Sequence, residues 1–166
     1  MEKHEFARFY KTHFERIYKF VYFRVGGRKE VAQDLTQDVF LKAFQAFDRY
    51  DPAISQSSWI YTIARNHVIN HHAKTKPGVD LEEVEGSLSA SVDMRETFAM
   101  NYEEKQLCEA MGKLPKEDAD LVRMKYLEGW QFDELAEIIG KNSGALRVQA
   151  RRAIKKLYEI LKPTET

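Results

Sequence analysis

The stretch from Trp130 to Leu161 reads WQFDELAEIIGKNSGALRVQARRAIKKLYEIL, and its reading decides how the rest of the chain is understood. Gln131–Ile139 places Phe132, Leu135, Ala136 and Ile139 at the spacing of one inward helical face. Gly140 stands where a glycine ends a helix in the left-handed conformation. Lys141-Asn142-Ser143-Gly144 is a tight turn, and either Asn142 or Ser143 can cap the next helix. From Ala145 to Leu161, the apolar residues Leu146, Ala150, Ala153, Ile154 and Leu157 share one side, while Arg147, Arg151, Arg152, Lys155 and Lys156 lie mostly opposite. A short helix, a small-residue turn and a basic second helix make a helix-turn-helix. The chemistry suits that geometry, because arginine forks onto guanine edges in a major groove while lysine neutralises phosphates. A basic helix can also be no more than a solvated face. The preceding segment Glu117–Leu127 favours the DNA-binding reading: its Ala119, Leu121, Val122, Met124, Tyr126 and Leu127 supply a third helix around the turn.

Working outward, helical patterning runs from near Glu96 to Lys113 and stops at Leu114-Pro115. Upstream of it, Val79–Asp93 is acidic, serine-bearing and aperiodic, with Asp80, Glu82, Glu83 and Glu85 close together, which predicts a flexible linker. Three more helices precede Lys76-Pro77-Gly78. The first spans Glu5 to Val25, with Phe6, Phe9, Tyr10, Ile17, Phe20, Val21 and Val25 on its buried face, and Gly26-Gly27 stops it. The second spans Glu30 to Phe47, with Val31, Leu35, Val39, Ala43, Ala46 and Phe47 inward. After the loop Tyr50–Ser57, a third helix fits Ser58 to about Lys74, with Ser57 or Ser58 as its cap. No strand-type alternation is present. The expected architecture is all-α: two small helical domains, residues 1–76 and 96–166, on an acidic tether, 77–95.

The charge pattern has the same organisation. The chain of 166 residues carries 26 Lys and Arg against 26 Asp and Glu, a balance that by itself argues against a nucleic-acid binder. The zero is a sum of unlike parts. Residues 1–76 hold 13 bases and 8 acids, residues 77–112 hold 2 bases and 9 acids, and residues 141–162 hold seven bases against Glu159 alone. Two basic segments flank an acidic one, and such asymmetry says more about partners than the total does. No apolar run approaches the roughly 20 residues that cross a bilayer, and Met1–Glu5 lacks a secretory-signal layout. The single cysteine, Cys108, excludes an internal disulfide and a thiolate cage, and reads as a small core hydrophobe in a reducing, cytosolic setting.

The third helix is rich in groups that nucleic acid attracts: Trp59, Tyr61, Arg65, Asn66, Asn70 and Lys74. Rings beside cations suit single-stranded DNA, since bases stack while the backbone meets positive charge; Trp59 fits a core position equally well. His67 and His71 stand four apart, but without a carboxylate ligand at set spacing they do not make a metal motif. No metal or cofactor is expected.

Taken together, the strings Asp34-Leu35-Thr36-Gln37-Asp38-Val39-Phe40-Leu41-Lys42-Ala43-Phe44 and Ser58-Trp59-Ile60-Tyr61-Thr62-Ile63-Ala64-Arg65-Asn66 resemble region two of bacterial sigma factors. The helix-turn-helix, introduced by Leu114-Pro115 and closed by Arg151-Arg152-Ala153-Ile154-Lys155-Lys156-Leu157, resembles region four. Two such regions on so short a chain resemble the extracytoplasmic-function (ECF) group of the sigma-70 family. The resemblance implies a cytoplasmic factor that directs promoter-specific transcription initiation. It places Asp34, Gln37, Asp38 and Phe40 against a coiled coil of the largest subunit of core RNA polymerase. It assigns the minus-ten element, read as single strand, to Trp59, Tyr61, Arg65, Asn66, Asn70 and Lys74, with Asn66 beside a flipped-base pocket. Arg147, Gln149, Arg151, Arg152 and Lys155 would read the minus-thirty-five element of promoter DNA as duplex. The free chain is expected to be a monomer held silent by an anti-sigma factor, in some cases at the membrane, with apolar residues near Phe40, Phe44 and Tyr126 as the contact. The departures are Asn70, where the family usually has aspartate, and His71-His72 in place of arginines, which implies weaker upstream contacts and a pH dependence through the histidines. Gly144-Ala145-Leu146-Arg147-Val148 lacks two hydroxyls of the usual pattern, so promoter preference is not carried over.

Two other readings compete: a one-component regulator with an N-terminal helical bundle, which predicts stable dimers, and a helical adaptor that supports no transcription. An enzyme is least favoured, since no nucleophile–base pair, phosphate loop or metal set is present and no small-molecule substrate is implied.

Overall fold

The structure, a computed structural model, describes residues 3–75 and 101–163. Among these there are seven α-helices and no strand, so the fold is all-α. They fall into two compact units, each with its own core. The acidic tether expected at 77–95, Lys76 and the helix start near Glu96 lie outside the described residues.

In the first unit, α1 (Lys3–Arg24), α2 (Lys29–Ala46) and α3 (Gln56–Thr75) pack pairwise, with a single 3₁₀ turn, Phe47–Arg49, after α2. Gly26 and Gly27 both have positive φ, 68° and 72°, a conformation open to glycine that turns the chain sharply from α1 into α2. The inward face of α2 is wider than one stripe: Ala32, Leu35, Thr36, Val39, Phe40 and Ala43 are buried because α1 and α3 clasp it from two sides. This corrects the expected face, in which Val31, Ala46 and Phe47 stood for Ala32, Thr36 and Phe40. Tyr10, also expected in the core, is 39% exposed, and His13 and Arg24 take buried places on α1. Arg24 is accommodated because its guanidinium donates to Phe20 O at 3.0 Å and lies 3.8 Å from the Phe20 ring. The cap of α3 is Ser55, whose Oγ accepts the Ser58 N–H at 3.1 Å, ahead of both Ser57 and Ser58, the expected candidates.

The second unit comprises α4 (Tyr102–Gly112), α5 (Lys116–Val122), α6 (Phe132–Ile139) and α7 (Ser143–Leu161). Asn101 and Glu104 close a capping box on α4. Ala110, Met111, Leu114, Val122, Ala153 and Leu157 form one cluster, with Leu107, Ala119, Leu127 and Ile160 packed around it. The chain leaves α5 in a π-helical segment, Arg123–Glu128, which periodicity did not predict. Gly129, at φ 88°, then turns Trp130 under the unit. Trp130 is fully buried, and its indole N–H donates to the equally buried Glu128 at 2.9 Å. Ile139 and Ile154, both expected inward, are 40% and 37% exposed. The eight-residue α6 has room to bury only Leu135 completely, and α7 seats Leu146, Ala150, Ala153 and Leu157.

Candidate nucleic-acid and polymerase interfaces

α7 is positioned from its first turn. Gly140, at φ 79°, ends α6 in the left-handed conformation, and nothing stands within 4 Å of where its Cβ would be, so backbone handedness alone selects glycine. Asn142, and not Ser143, caps α7: its Oδ1 accepts the N–H of Gly144 at 2.8 Å and of Ala145 at 3.4 Å. A Cβ on Gly144 would stand 3.0 Å from that oxygen, so an alanine there presses on the cap.

The seated face of α7 turns Arg147, Val148, Arg151, Arg152 and Lys155 outward, all exposed. At 100° per residue, Arg147, Arg151 and Lys155 follow one another along a single stripe. Phe132 of α6 steers the first of them, since the Arg147 guanidinium lies 5.3 Å from its ring centroid and Lys125 lies 4.9 Å from the same ring. Gln149 is placed differently from its sequence assignment. Its amide donates to Asp118 Oδ1 of α5 at 2.9 Å, and Lys156 approaches Asp118 Oδ2 at 3.6 Å. Gln149 is thus half-buried and tied back to its own unit, turned away from the outward stripe. Val148, to which the sequence pattern assigns no role, stands exposed among the arginines at 38%, and such a methyl-bearing side chain suits the C5-methyl of thymine.

In the first unit the two assigned surfaces separate cleanly by helix. On α2, Asp34, Gln37 and Asp38 are exposed, and the residue that continues their i, i+3, i+4, i+7 face is Leu41, 56% exposed. Phe40, assigned to this surface from sequence, is 3% exposed and points the other way, with Phe9, Tyr10 and Phe14 around it at ring distances of 6.2, 4.9 and 5.8 Å. It belongs to the core because it lies next to Val39 on the clasped side. Phe44, 43% exposed, leans on Phe6.

On α3, Asn66, Asn70 and Lys74 are exposed at intervals of four, one stripe along the helix, and Thr62 extends it by a turn. Trp59 and Tyr61 are not with them. Trp59 is half-buried against Phe9, Phe47 and Tyr50, and Tyr61 packs edge-on to Phe20. Arg65 is half-buried, near the border of the exposed side. The loop before α3 is braced by the same rings: Tyr50 stacks on Phe47, its hydroxyl donates to Ile54 O, and Asp51 Oδ1 accepts the Ala53 N–H at 2.9 Å. Ile54, at the loop's tip, is 46% exposed.

The three histidines of α3 pack toward its neighbours, His67 against α2 and His72 against the end of α1. His67 lies between Asp38 and Lys42, and burial lowers its pKa below the ordinary 6.5, helped by Lys42 and opposed by Asp38. His71 is lowered too, first by burial and then by Arg28, and its Nε2 is buried without a hydrogen-bond partner. His72 faces the backbone carbonyl of Arg24 at 3.0 Å. Among the described residues no three His, Cys, Asp or Glu side chains are grouped to hold a metal ion, and no helix is long and apolar enough to cross a membrane.

Known proteins share this arrangement. Residues 9–77 match the family model for sigma-70 region 2, and residues 94–157 match that for sigma-70 region 4. The chain is 30% identical to the ECF RNA polymerase sigma factor BldN of Streptomyces coelicolor, over 96% of this chain and 61% of BldN. It is 27% identical to the RNA polymerase sigma factor CarQ of Myxococcus xanthus, over 94% of this chain and 88% of CarQ. The chain therefore spans about three-fifths of the length of BldN and most of CarQ. Among solved structures, the sigma factor RpoE of Bartonella quintana, in complex with the anti-sigma factor NepR, shares the fold with a TM-score of 0.58 at 19% identity, over 97% of this chain and 99% of that one.

Proposed function

The chain belongs to the sigma-70 family, and from that premise we propose how its two units divide the work of promoter-specific transcription initiation by bacterial RNA polymerase. Residues 1–76 act as region two and residues 96–166 as region four, with 77–95 between them. The outward face of α2, formed by Asp34, Gln37, Asp38 and Leu41, docks on the coiled coil of the polymerase largest subunit, and Phe40 supports it from behind. The Asn66–Asn70–Lys74 stripe of α3 and the braced loop before it take the melted minus-ten strand. An asparagine amide can pair with the edge of an unstacked base, which offsets part of the cost of opening the duplex. Arg147, Arg151, Arg152 and Lys155 read the minus-thirty-five element in the major groove, with Val148 as an apolar contact.

The observation that carries this reading is the separation of two exposed surfaces on adjacent helices of one small unit, an acidic one on α2 and an amide-and-lysine one on α3. One such unit can hold polymerase and DNA at the same time. The one-component regulator is not favoured, because both units match regions of one sigma family. Sigma factors act by binding and are not catalysts, so the chain is read as a cytoplasmic, non-enzymatic factor. The RpoE neighbour is held in complex with an anti-sigma factor, and an anti-sigma partner of this chain, laying a helix along α2, would cover Leu41 and Phe44. Phe40 drops out of that contact as a buried residue, and Tyr126, 53% exposed, remains available in the second unit.

The test is transcription in vitro by bacterial core polymerase with and without the chain, with transcript starts sequenced. Promoter-specific starts that require the chain, and that Asp38→Arg abolishes through loss of polymerase binding at unchanged helix content, are the expected result. Tight promoter binding by dimers without polymerase would restore the one-component regulator.

A further inference from the structure

Asp38 and Lys42 stand one turn apart on α2, spaced to pair with each other, yet a side chain from α3 comes between them. Lys42 Nζ lies 2.9 Å from His67 Nδ1, and Asp38 Oδ2 lies 3.3 Å from His67 Nε2. An ammonium only donates, so Nδ1 presents its lone pair. The ring proton of the neutral imidazole is then on Nε2, where it donates to the Asp38 carboxylate. A neutral His67 satisfies both neighbours at once. An imidazolium does not, because its second proton points at the Lys42 ammonium.

We propose that His67 is a positioning residue for the polymerase-docking carboxylate of Asp38: neutral, it orients Asp38 outward; protonated, it holds Asp38 as its own ion-pair partner and weakens the dock. The inference rests on the reading of α2 as the polymerase face. It links the helix that reads the minus-ten strand to the helix that holds polymerase through one ring. Among the described residues, the charged and titratable groups around the ring are Asp38 and Lys42 from α2 and His71 and Lys74 from α3, with Arg28, ahead of α2, acting on His71. Asp38 is the one acid among them. Burial and the surrounding cations hold the imidazole neutral at pH 7.5, so the change falls below pH 6.5. An acidic docking face seeks a basic partner, and an imidazolium at Asp38 competes with that partner for the same oxygen.

Affinity for core polymerase, measured from pH 5.5 to pH 7.5 for the parent chain, His67→Gln, His67→Leu and Asp38→Asn, tests this. Glutamine keeps both bonds, with Oε1 accepting from Lys42 and the amide N–H donating to Asp38, and it does not titrate. At pH 7.5, His67→Gln should bind like the parent and His67→Leu about two- to tenfold more weakly, the effect of losing the hydrogen bond that orients Asp38. Between pH 7.5 and 5.5 the parent should lose affinity relative to His67→Gln, whose profile carries only the titration of polymerase itself. Thermal melts accompany each variant, and if His67→Leu fails to fold, the difference between the parent and glutamine pH profiles carries the test alone. Parallel profiles for parent and His67→Gln, with Asp38→Asn weakened, overturn the inference and leave the docking face standing. Asp38→Asn binding as tightly as the parent overturns both.

Discussion

The two units solve the problem of a small helical core in opposite ways. The first is filled with rings: Phe6, Phe9, Phe14, Phe40, Phe47, Tyr50 and Trp59 touch one another in a continuous network between α1, α2 and α3. The second is closed largely by aliphatic side chains, with one fully buried indole, and its tyrosines, Tyr102, Tyr126 and Tyr158, all stand more than half exposed. The difference shows how a core constrains the binding surface above it. Where rings fill the core, they draw in neighbouring aromatics, so Trp59 and Tyr61 brace the fold while small amides face outward. Where the core is aliphatic and small residues such as Ala150 and Ala153 seat the helix, Arg147, Arg151, Arg152 and Lys155 of α7 stand exposed. Aromatic packing makes the first unit a platform, and the second unit carries a probe.

The strongest way to break this comparison is through the indole. Trp130→Ala should cost about 3–5 kcal/mol, as large-to-small changes of buried aromatics do. The loss should fall on the second unit alone. The chain has one tryptophan in each unit, Trp59 and Trp130, so the emission of Trp59 in this variant reports on the first unit by itself. A first unit that melts together with the second would show that the cores are not independent.

The next prediction sharpens the contrast at the DNA. Arg147→Ala and Arg151→Ala should each weaken recognition of the upstream duplex element by roughly 1–3 kcal/mol where a bidentate base contact is lost. Gln149→Ala should relax base preference less than either, because its amide is already spent on Asp118. Polymerase–promoter binding to duplexes changed one base pair at a time distinguishes them. Asn66→Ala belongs to the other unit and should leave closed-complex binding nearly intact. Its effect should be about 1 kcal/mol on the opening step, the worth of one hydrogen bond, visible as slower permanganate reactivity of the bubble.

Much of the fold was legible because the helical period is strong, and the places where it was not share a physical cause. Phe40 sits beside Val39 on a helix clasped from two sides, and periodicity from one side alone does not reveal how wide the buried face is. Ser55, Ser57 and Ser58 have equal capping capacity, and only the backbone decides among them. Gln149 finds Asp118 across 31 residues of chain, with no local signal in the sequence. The burial of Glu128 depends on a π-helical segment and on Gly129 at positive φ bringing Trp130 beneath it. The outward stripes were the most readable part of the candidate site: four of five residues assigned on α7 are exposed, and so are Asn66, Asn70 and Lys74 on α3. Charged groups that face solvent declare themselves, whereas direction near a helix's border is set by its neighbours.

The smallest expected difference is in acid. All five histidines, His4, His13, His67, His71 and His72, belong to the first unit. His67 and His71 have pKa values lowered in the folded chain, chiefly by burial, so below pH 6.5 the unfolded state binds more protons and the fold loses stability. Their contribution is complete above the unfolded value and declines as the pH falls through the folded ones. Partial solvent exposure keeps the effect modest. Thermal melts between pH 7.5 and 5.5 should lower the midpoint reported by Trp59 and leave that reported by Trp130 in place.

Gly140 has a consequence of a different kind. Its turn leaves open space where a Cβ would stand yet strains ordinary side chains, so what it disfavours is the handedness of the residue and not its bulk. A D-alanine, for which positive φ is the relaxed state, should adopt this turn without backbone strain. Placed there by chemical ligation, it would stiffen the unfolded chain and raise stability by about 0.4–1 kcal/mol, while L-alanine at the same position would lower it. The turn that aims the recognition helix is thus a stereochemical filter, and one inverted centre would tighten it.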